Sequence, residues 1–101
     1  MKPNTDGLTT VQIYNKGVIA LNRGDYDEAA EFFLVAAEQG NANAQYALGY
    51  MYDEGYYKKS PLGFTMNATR CLATAYMWYG RAGLNGHAGA EALWQEWVSS
   101  T

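Results

Sequence analysis

Apolar and small residues recur along this chain at three- and four-residue spacings, the period of a single helix face. The clearest case is the central stretch Ala44-Gln45-Tyr46-Ala47-Leu48-Gly49-Tyr50-Met51-Tyr52-Asp53-Glu54-Gly55, in which Ala44, Leu48 and Tyr52 fall four apart. Gly49 lies in the middle of that run, where glycine costs a helix roughly 1 kcal/mol relative to alanine. Its presence predicts a neighbouring helix packed too closely to admit a side chain. Gly55 predicts the stop, a residue able to turn left-handed just past the last helical turn.

The same pattern predicts four further helices. Thr9 followed by Gln12 has the form of a capping box, so the first helix begins near Thr10. Ile13, Gly17, Ala20 and Leu21 carry its period to about Asn22, and Arg23-Gly24 ends it. Asp25 with Glu28 reads as a second capping box, opening a helix through Ala29, Phe32, Phe33, Ala36 and Ala37 to Gln39, closed by Gly40. Asn41 or Asn43 is placed to cap the central helix. From Tyr56 to about Asn67 the period disappears, and Lys58, Lys59, Ser60, Pro61 and Gly63 mark a loop. Leu62, Phe64 and Met66 make that loop apolar enough to fold back onto the body. Thr69 is placed to cap a fourth helix with Leu72, Ala75, Trp78, Tyr79 and Ala82 on its face, stopped by Asn85-Gly86. A last helix runs from about Ala88 to Val98 with Leu93, Trp94 and Trp97. Nowhere do β-branched residues alternate with polar ones long enough to make a strand.

The chain also matches itself. At an offset of 46 residues, Ala29, Phe32, Phe33, Ala36 and Gly40 align with Ala75, Trp78, Tyr79, Ala82 and Gly86, and Ala42 and Ala44 with Ala88 and Ala90. The leading helices align at an offset of 32, Tyr14 and Gly17 with Tyr46 and Gly49. The difference of 14 residues falls in the Tyr56–Asn67 region, so the second helix pair carries an insertion that the first lacks. Helix pairs at fixed period, with small residues at the crossings, mark an α-solenoid.

Ala44, Leu48, Gly49, Tyr52 and Gly55, followed by Ala75, Trp78, Tyr79, Ala82, Gly83 and Gly86, resemble a Sel1-like repeat, A-x-x-x-L-G-x-x-Y-x-x-G leading to A-x-x-W-Y-x-x-A-A-x-x-G. Gly83 replaces the second alanine of the final A-A, and the connection from Gly55 to Ala75 is longer than the pattern expects. Gly17, Gly24, Tyr26, Ala29, Phe33 and Ala36 resemble the related tetratricopeptide repeat. Together these resemblances span about Thr10 to Trp94. They imply an all-α, short right-handed helical-repeat (α/α solenoid) domain of two helix pairs plus a C-terminal capping helix. In residue terms this is a lead-in over 1–8, a tetratricopeptide-like pair over 9–40, a Sel1-like pair over 41–86 with an inserted loop at about 56–67, and a capping helix over 87–101. The family is one of protein-interaction scaffolds.

Composition narrows the function. With 101 residues, 49% hydrophobic and 17% charged, the chain is one folded domain with a modest core. A net charge of −3 with no basic cluster beyond Lys58-Lys59 argues against nucleic acid and against an anionic membrane surface. The single cysteine, Cys71, excludes an internal disulfide and fits a reducing compartment. Met1 to Gly7 lacks the apolar stretch of a secretion signal, and no apolar run reaches the length of a spanning helix. A cytoplasmic, bacterial-type setting is therefore expected.

Catalytic chemistry finds little support. His87 is the only histidine and stands at a helix start, so no metal-ligand cluster with suitable spacing exists and neither metal nor cofactor is expected. Cys71 beside Leu72 fits a packed residue better than a nucleophile, with no Cys–His pair to activate it. Asp53-Glu54 fit a solvated helix end or a ligand-facing edge better than an acid–base pair. The glycines form no phosphate-cradling loop, and Asn67-Ala68-Thr69 matches a glycosylation pattern without a secretion signal to give it meaning.

In helical-repeat scaffolds the first helix of each pair lines the concave surface. On that pattern Val11, Tyr14 and Val18 of the first pair and Tyr46, Tyr50, Asp53 and Glu54 of the second face a partner, while Tyr52 turns to the core. Tyrosine suits such a surface because it buries large area with few rotatable bonds and keeps a hydroxyl for hydrogen bonding. The expected function is an adaptor-type protein or peptide interaction module without catalysis. An immunity or inhibitor protein neutralising a partner enzyme is the alternative, and an enzyme is the weakest reading. Trp97, near the end of the chain, is a candidate for self-association.

Overall fold

The computed structural model describes residues 3–100, and five helices make up most of them: α1 (Thr10–Asn22), α2 (Tyr26–Glu38), α3 (Ala42–Asp53), α4 (Ala68–Leu84) and α5 (Ala88–Ser99). No strand occurs among the described residues, only an isolated bridge between Lys59 and Thr65. Extensive packing joins consecutive helices, α1 to α2, α2 to α3, α3 to α4 and α4 to α5. None of these helices is long and apolar enough to cross a membrane.

One kind of turn joins most of these helices. Past α1, Gly24 takes a left-handed conformation (φ 80°), and the Asp25 N–H donates back to the Ala20 carbonyl at 2.9 Å. The Gln39-Gly40-Asn41 and Asn85-Gly86-His87 turns do the same, with Asn41 donating to Ala36 at 3.1 Å and His87 to Ala82 at 2.9 Å. This is the six-to-one bond that satisfies the orphan carbonyls of a helix end. In all three turns the third residue is also the N-cap of the following helix, so a single glycine ends one helix and aims the next. After α3 the motif forms again, the Tyr56 N–H donating to Met51 at 2.9 Å, but Tyr56 starts no helix and the loop to Asn67 follows.

The caps follow the sequence in part. Thr9 and Gln12 form the expected capping box, and Asn41 caps α3 by accepting from the Ala44 N–H at 2.8 Å. The second box, expected from Asp25 and Glu28, does not form. Asp25 makes no side-chain cap because its carboxylate lies 3.3 Å from the Arg23 guanidinium, which Glu28 also meets at 3.1 Å. Nor does Thr69 cap α4. Asn67 does, accepting from the Arg70 N–H at 2.9 Å, which places Thr69 inside the first turn.

The core is built from small residues opposite large rings. Gly17 of α1 faces Phe33 of α2, where an added Cβ would come within 2.6 Å of the ring. Gly49 of α3 faces Tyr79 of α4, where a Cβ would lie 2.8 Å from the ring and 2.9 Å from the Ala75 carbonyl oxygen. The close neighbour predicted from Gly49 is thus α4. Gly83, the residue that departs from the A-A pattern, sits against the α5 backbone, where a Cβ would meet Glu91 Cα at 2.9 Å. Even alanine is too large at that crossing. Gln45, the one buried side-chain amide, donates to the Ala37 carbonyl at 3.0 Å and accepts from Asn85 at 2.9 Å, tying the ends of α2 and α4 to α3.

The inserted loop packs on the body. The Tyr52 hydroxyl donates to the Lys59 carbonyl at 2.7 Å, and the loop closes on itself through Met66 N–H to Lys58 at 2.8 Å and Ser60 N–H to Phe64 at 2.9 Å. Met66 is only 8% exposed, but Leu62 is 87% exposed and Phe64 lies outside the core beneath Arg70. Of the three apolar side chains expected to fold back, only Met66 does so. On α4 the inward residue is Cys71, and Leu72, about 100° further round the helix, remains exposed.

Candidate functional site

α3 holds the centre of the most distinctive surface. Its inward residues Ala44, Leu48, Met51 and Tyr52 are buried, which leaves Tyr46, Tyr50 and Asp53, at four- and three-residue spacing, on an adjoining face. Tyr46 is half-buried, stacked on the His87 imidazole at 4.3 Å and tilted against Tyr79 at 5.5 Å. Tyr50 tilts against Tyr56 at 5.9 Å, and Tyr56 in turn stacks on Tyr26 at 4.6 Å. On the other side Tyr79 meets Tyr76 edge-on at 5.1 Å, Tyr76 stacks on Trp97 at 5.0 Å, and Trp97 tilts against Trp94 at 5.8 Å. Aromatic contacts thus form two groups that each include a tyrosine of α3, one reaching the start of α2 through Tyr50 and the other reaching α4 and α5 through Tyr46.

Carboxylates follow the same course. Asp53 is exposed and accepts from the Tyr79 hydroxyl at 3.1 Å. Burial, then Asp53 in two ways, hold the Tyr79 phenol protonated well above its ordinary range. Tyr76 is pushed up first by burial, then by Asp53 and Glu96. Tyr50 is pushed up chiefly by Tyr56 and further by Glu54. Phenol hydroxyls beside carboxylates give this surface both hydrogen-bond donors and negative potential.

The seven residues expected to face a partner divide between two kinds of place. Val11 is 59% exposed in the first turn of α1. Tyr14 and Val18 are half-buried, Tyr14 with its ring 5.6 Å from Phe33 in the α1–α2 crossing and Val18 against the core. Tyr46, Tyr50, Asp53 and Glu54 lie together on α3, the last as its C-cap. Tyr52 is buried as expected, and burial with the neighbouring Tyr57 pushes its phenol up to about 12.

The aromatic surface has further members that sequence periodicity did not single out. Tyr26 and Tyr56 stand at a helix start and in a loop, so no helical spacing links them to α3. Tyr56 follows directly on the Gly55 stop, the one available sign. His87 occupies a helix start as expected, where its Nδ1 accepts from the Ala90 N–H at 3.0 Å, and it also lends its ring to Tyr46. Of the two adjacent lysines, Lys59 pairs with Asp27 at 3.7 Å, and Lys58 lines the cleft that Asp53 and Glu54 border. Cys71 is buried, and the described residues contain no group of three histidine, cysteine or acidic side chains placed to hold a metal ion.

Comparison with family models, with curated proteins and with solved structures yields no match for this chain.

Proposed function

We propose that the chain is a short right-handed helical-repeat scaffold of Sel1-like type that binds a basic peptide or protein segment across α3, without catalysis. One observation carries this reading: two groups of aromatic rings, Tyr26–Tyr56–Tyr50 and Tyr46–Tyr79–Tyr76, each include a tyrosine of α3, which also carries Asp53 and its C-cap Glu54. Aromatic faces attract a guanidinium or ammonium group, and the carboxylates attract the same charge at longer range. Tyrosines already held against one another lose little side-chain entropy on binding. The repeat itself is supported by the matching Gly17–Phe33 and Gly49–Tyr79 crossings and by the shared helix–glycine–cap turns. A lone buried cysteine fits work in a bacterial-type cytoplasm.

A display library of random peptides tests the proposal. Selected peptides are expected to be enriched in lysine and arginine and to bind less tightly as salt rises. Tyr50→Ala combined with Glu54→Gln is expected to weaken them at least tenfold, about 1.4 kcal/mol, with little change in melting temperature. Selection of acidic or charge-neutral peptides, or equal binding by the variant, overturns it. A second reading, a neutralising partner of a basic enzyme, is favoured by the net charge of −3 and uses the same surface. Capture of one stoichiometric enzyme from a lysate supports that reading; several proteins sharing a short basic motif support the adaptor.

A further inference from the structure

α5 occupies, by sequence, the place in its layer that α3 occupies in the layer before. At the offset of 46, Ala44 aligns with Ala90, and the same register sets Leu48 against Trp94 and Met51 against Trp97. The members of the first set are all buried. In α5 only Ala90 is buried, and both tryptophans remain half-exposed. With Met77 and Gly80 of α4 they line an open groove of about 470 Å³. Leu84, on the same groove, is 89% exposed and so stands as an apolar knob beside an apolar hollow.

The charges identify what fits there. Arg81 lies on the α4 wall of the groove and Glu91 on the α5 wall, one positive and one negative charge. The other clefts carry an excess of negative charge: by Tyr26 and Tyr56, Asp25, Asp27 and Glu28 face two cations, Arg23 and Lys59, and by Gly55, Asp53 and Glu54 face Lys58. A two-fold axis places residue i of one copy on residue j of the other and j on i. A patch holding one charge of each sign, with a knob next to a hollow, is complementary to itself under that operation.

We infer that two copies of the chain associate through this end face about a two-fold axis. Leu84 of each enters the groove of the other, and Arg81, whose guanidinium also lies 4.8 Å from the Trp78 ring, meets Glu91 of the partner subunit. Burial of Met77, Leu84 and the two tryptophans drives the association, and the crossed charge pairs select a second copy over other acidic proteins.

Sedimentation equilibrium of the full chain over a wide concentration range tests this. The wild type is expected to be a reversible dimer, and Leu84→Asp a monomer with an unchanged helical circular dichroism spectrum, since Leu84 lies outside the core. Arg81→Glu and Glu91→Arg each put like charges across the axis and are expected to weaken self-association at least tenfold. Mixed in equal amounts, these two variants are expected to form a heterodimer, because both crossed pairs are then of opposite sign. A wild type that stays monomeric, a dimer indifferent to Leu84→Asp, or a mixture that fails to recover association overturns the inference. Occupation of the groove by some other protein while the chain itself stays monomeric overturns it equally.

Discussion

The α1–α2 and α3–α4 crossings place a glycine under an aromatic ring in nearly the same way. In the first, Tyr14 tilts at 39° against Phe33, 5.6 Å away; in the second, Tyr46 tilts at 37° against Tyr79, 5.5 Å away. Two differences separate them. Tyr79 carries a hydroxyl that reaches Asp53, where Phe33 has none, and the two helices of the second crossing are joined by a long loop instead of a three-residue turn. Glycine under a ring is therefore a packing solution used twice. The phenol–carboxylate bond and the loop are additions to the second pair, and the aromatic–acidic surface gathers there.

Substituting the two glycines gives the largest effect and the sharpest contrast. At Gly49 the obstacle includes the Ala75 carbonyl oxygen, which no rotamer change can move, whereas at Gly17 the nearest atoms are all in the Phe33 ring. Gly49→Leu is expected to destabilise by about 3 kcal/mol, the upper part of the overpacking range. Gly17→Ala is expected to cost less than Gly49→Ala, since the ring can shift and alanine returns about 1 kcal/mol of helix propensity at either site. Urea denaturation of the three variants checks the order. Equal costs at the two glycines would show that the crossings respond alike.

The hydroxyl is probed next. Tyr79→Phe makes the second crossing resemble the first and is expected to cost about 1 kcal/mol, the usual net worth of such a hydrogen bond where the acceptor is solvated. Tyr52→Phe is expected to cost a similar amount, about 1 kcal/mol, by releasing the loop at the Lys59 carbonyl. A Tyr79→Phe variant as stable as the parent would leave the Asp53 contact without weight in folding.

Alkaline pH acts on the same phenols. The folded-state values of Tyr52 and Tyr79 are raised above the unfolded value near 10, Tyr52 to about 12. Their contribution is therefore fully present below pH 10 and is lost as pH rises towards the folded values, since the unfolded chain ionises first. The melting temperature is expected to fall above pH 10, and less steeply in the Tyr52→Phe, Tyr79→Phe double variant. Phe33, which occupies the place of Tyr79 in the first pair, cannot titrate, so the second pair is the more alkali-sensitive of the two.

The smallest effects lie at the caps. Asn67→Ala is expected to cost about 1 kcal/mol, as for other lost N-caps, and Thr69→Ala close to nothing. Thermal melts compare them, and the reverse order would restore Thr69 as the cap.

Much of this architecture was legible along the chain. A helix stop followed by a capping residue is a local signal, so Gly24, Gly40, Gly55 and Gly86 marked the ends of four helices within a residue or two. The exceptional glycine at position 49 announced a close neighbour because its propensity cost has to be offset by packing. Caps were harder where a competing charge was near: Asp25 and Glu28 have the right spacing for a box, and only the position of Arg23 in space decided against it. Which of several apolar loop residues turns inward was likewise settled by three-dimensional fit, since the Met66 thioether is buried 3.9 Å from the Thr74 hydroxyl of α4 while Leu62 stays exposed. The aromatic surface divides in the same manner. Tyr46, Tyr50 and Asp53 share a helix and could be read from spacing, but Tyr26, Tyr56, Tyr76 and Trp97 come from a helix start, a loop and two later helices. Periodicity relates residues within one element. Contacts between elements depend on how closely the helices approach, and in this chain that is set by Gly17 under Phe33, Gly49 under Tyr79 and Gly83 against the backbone of α5.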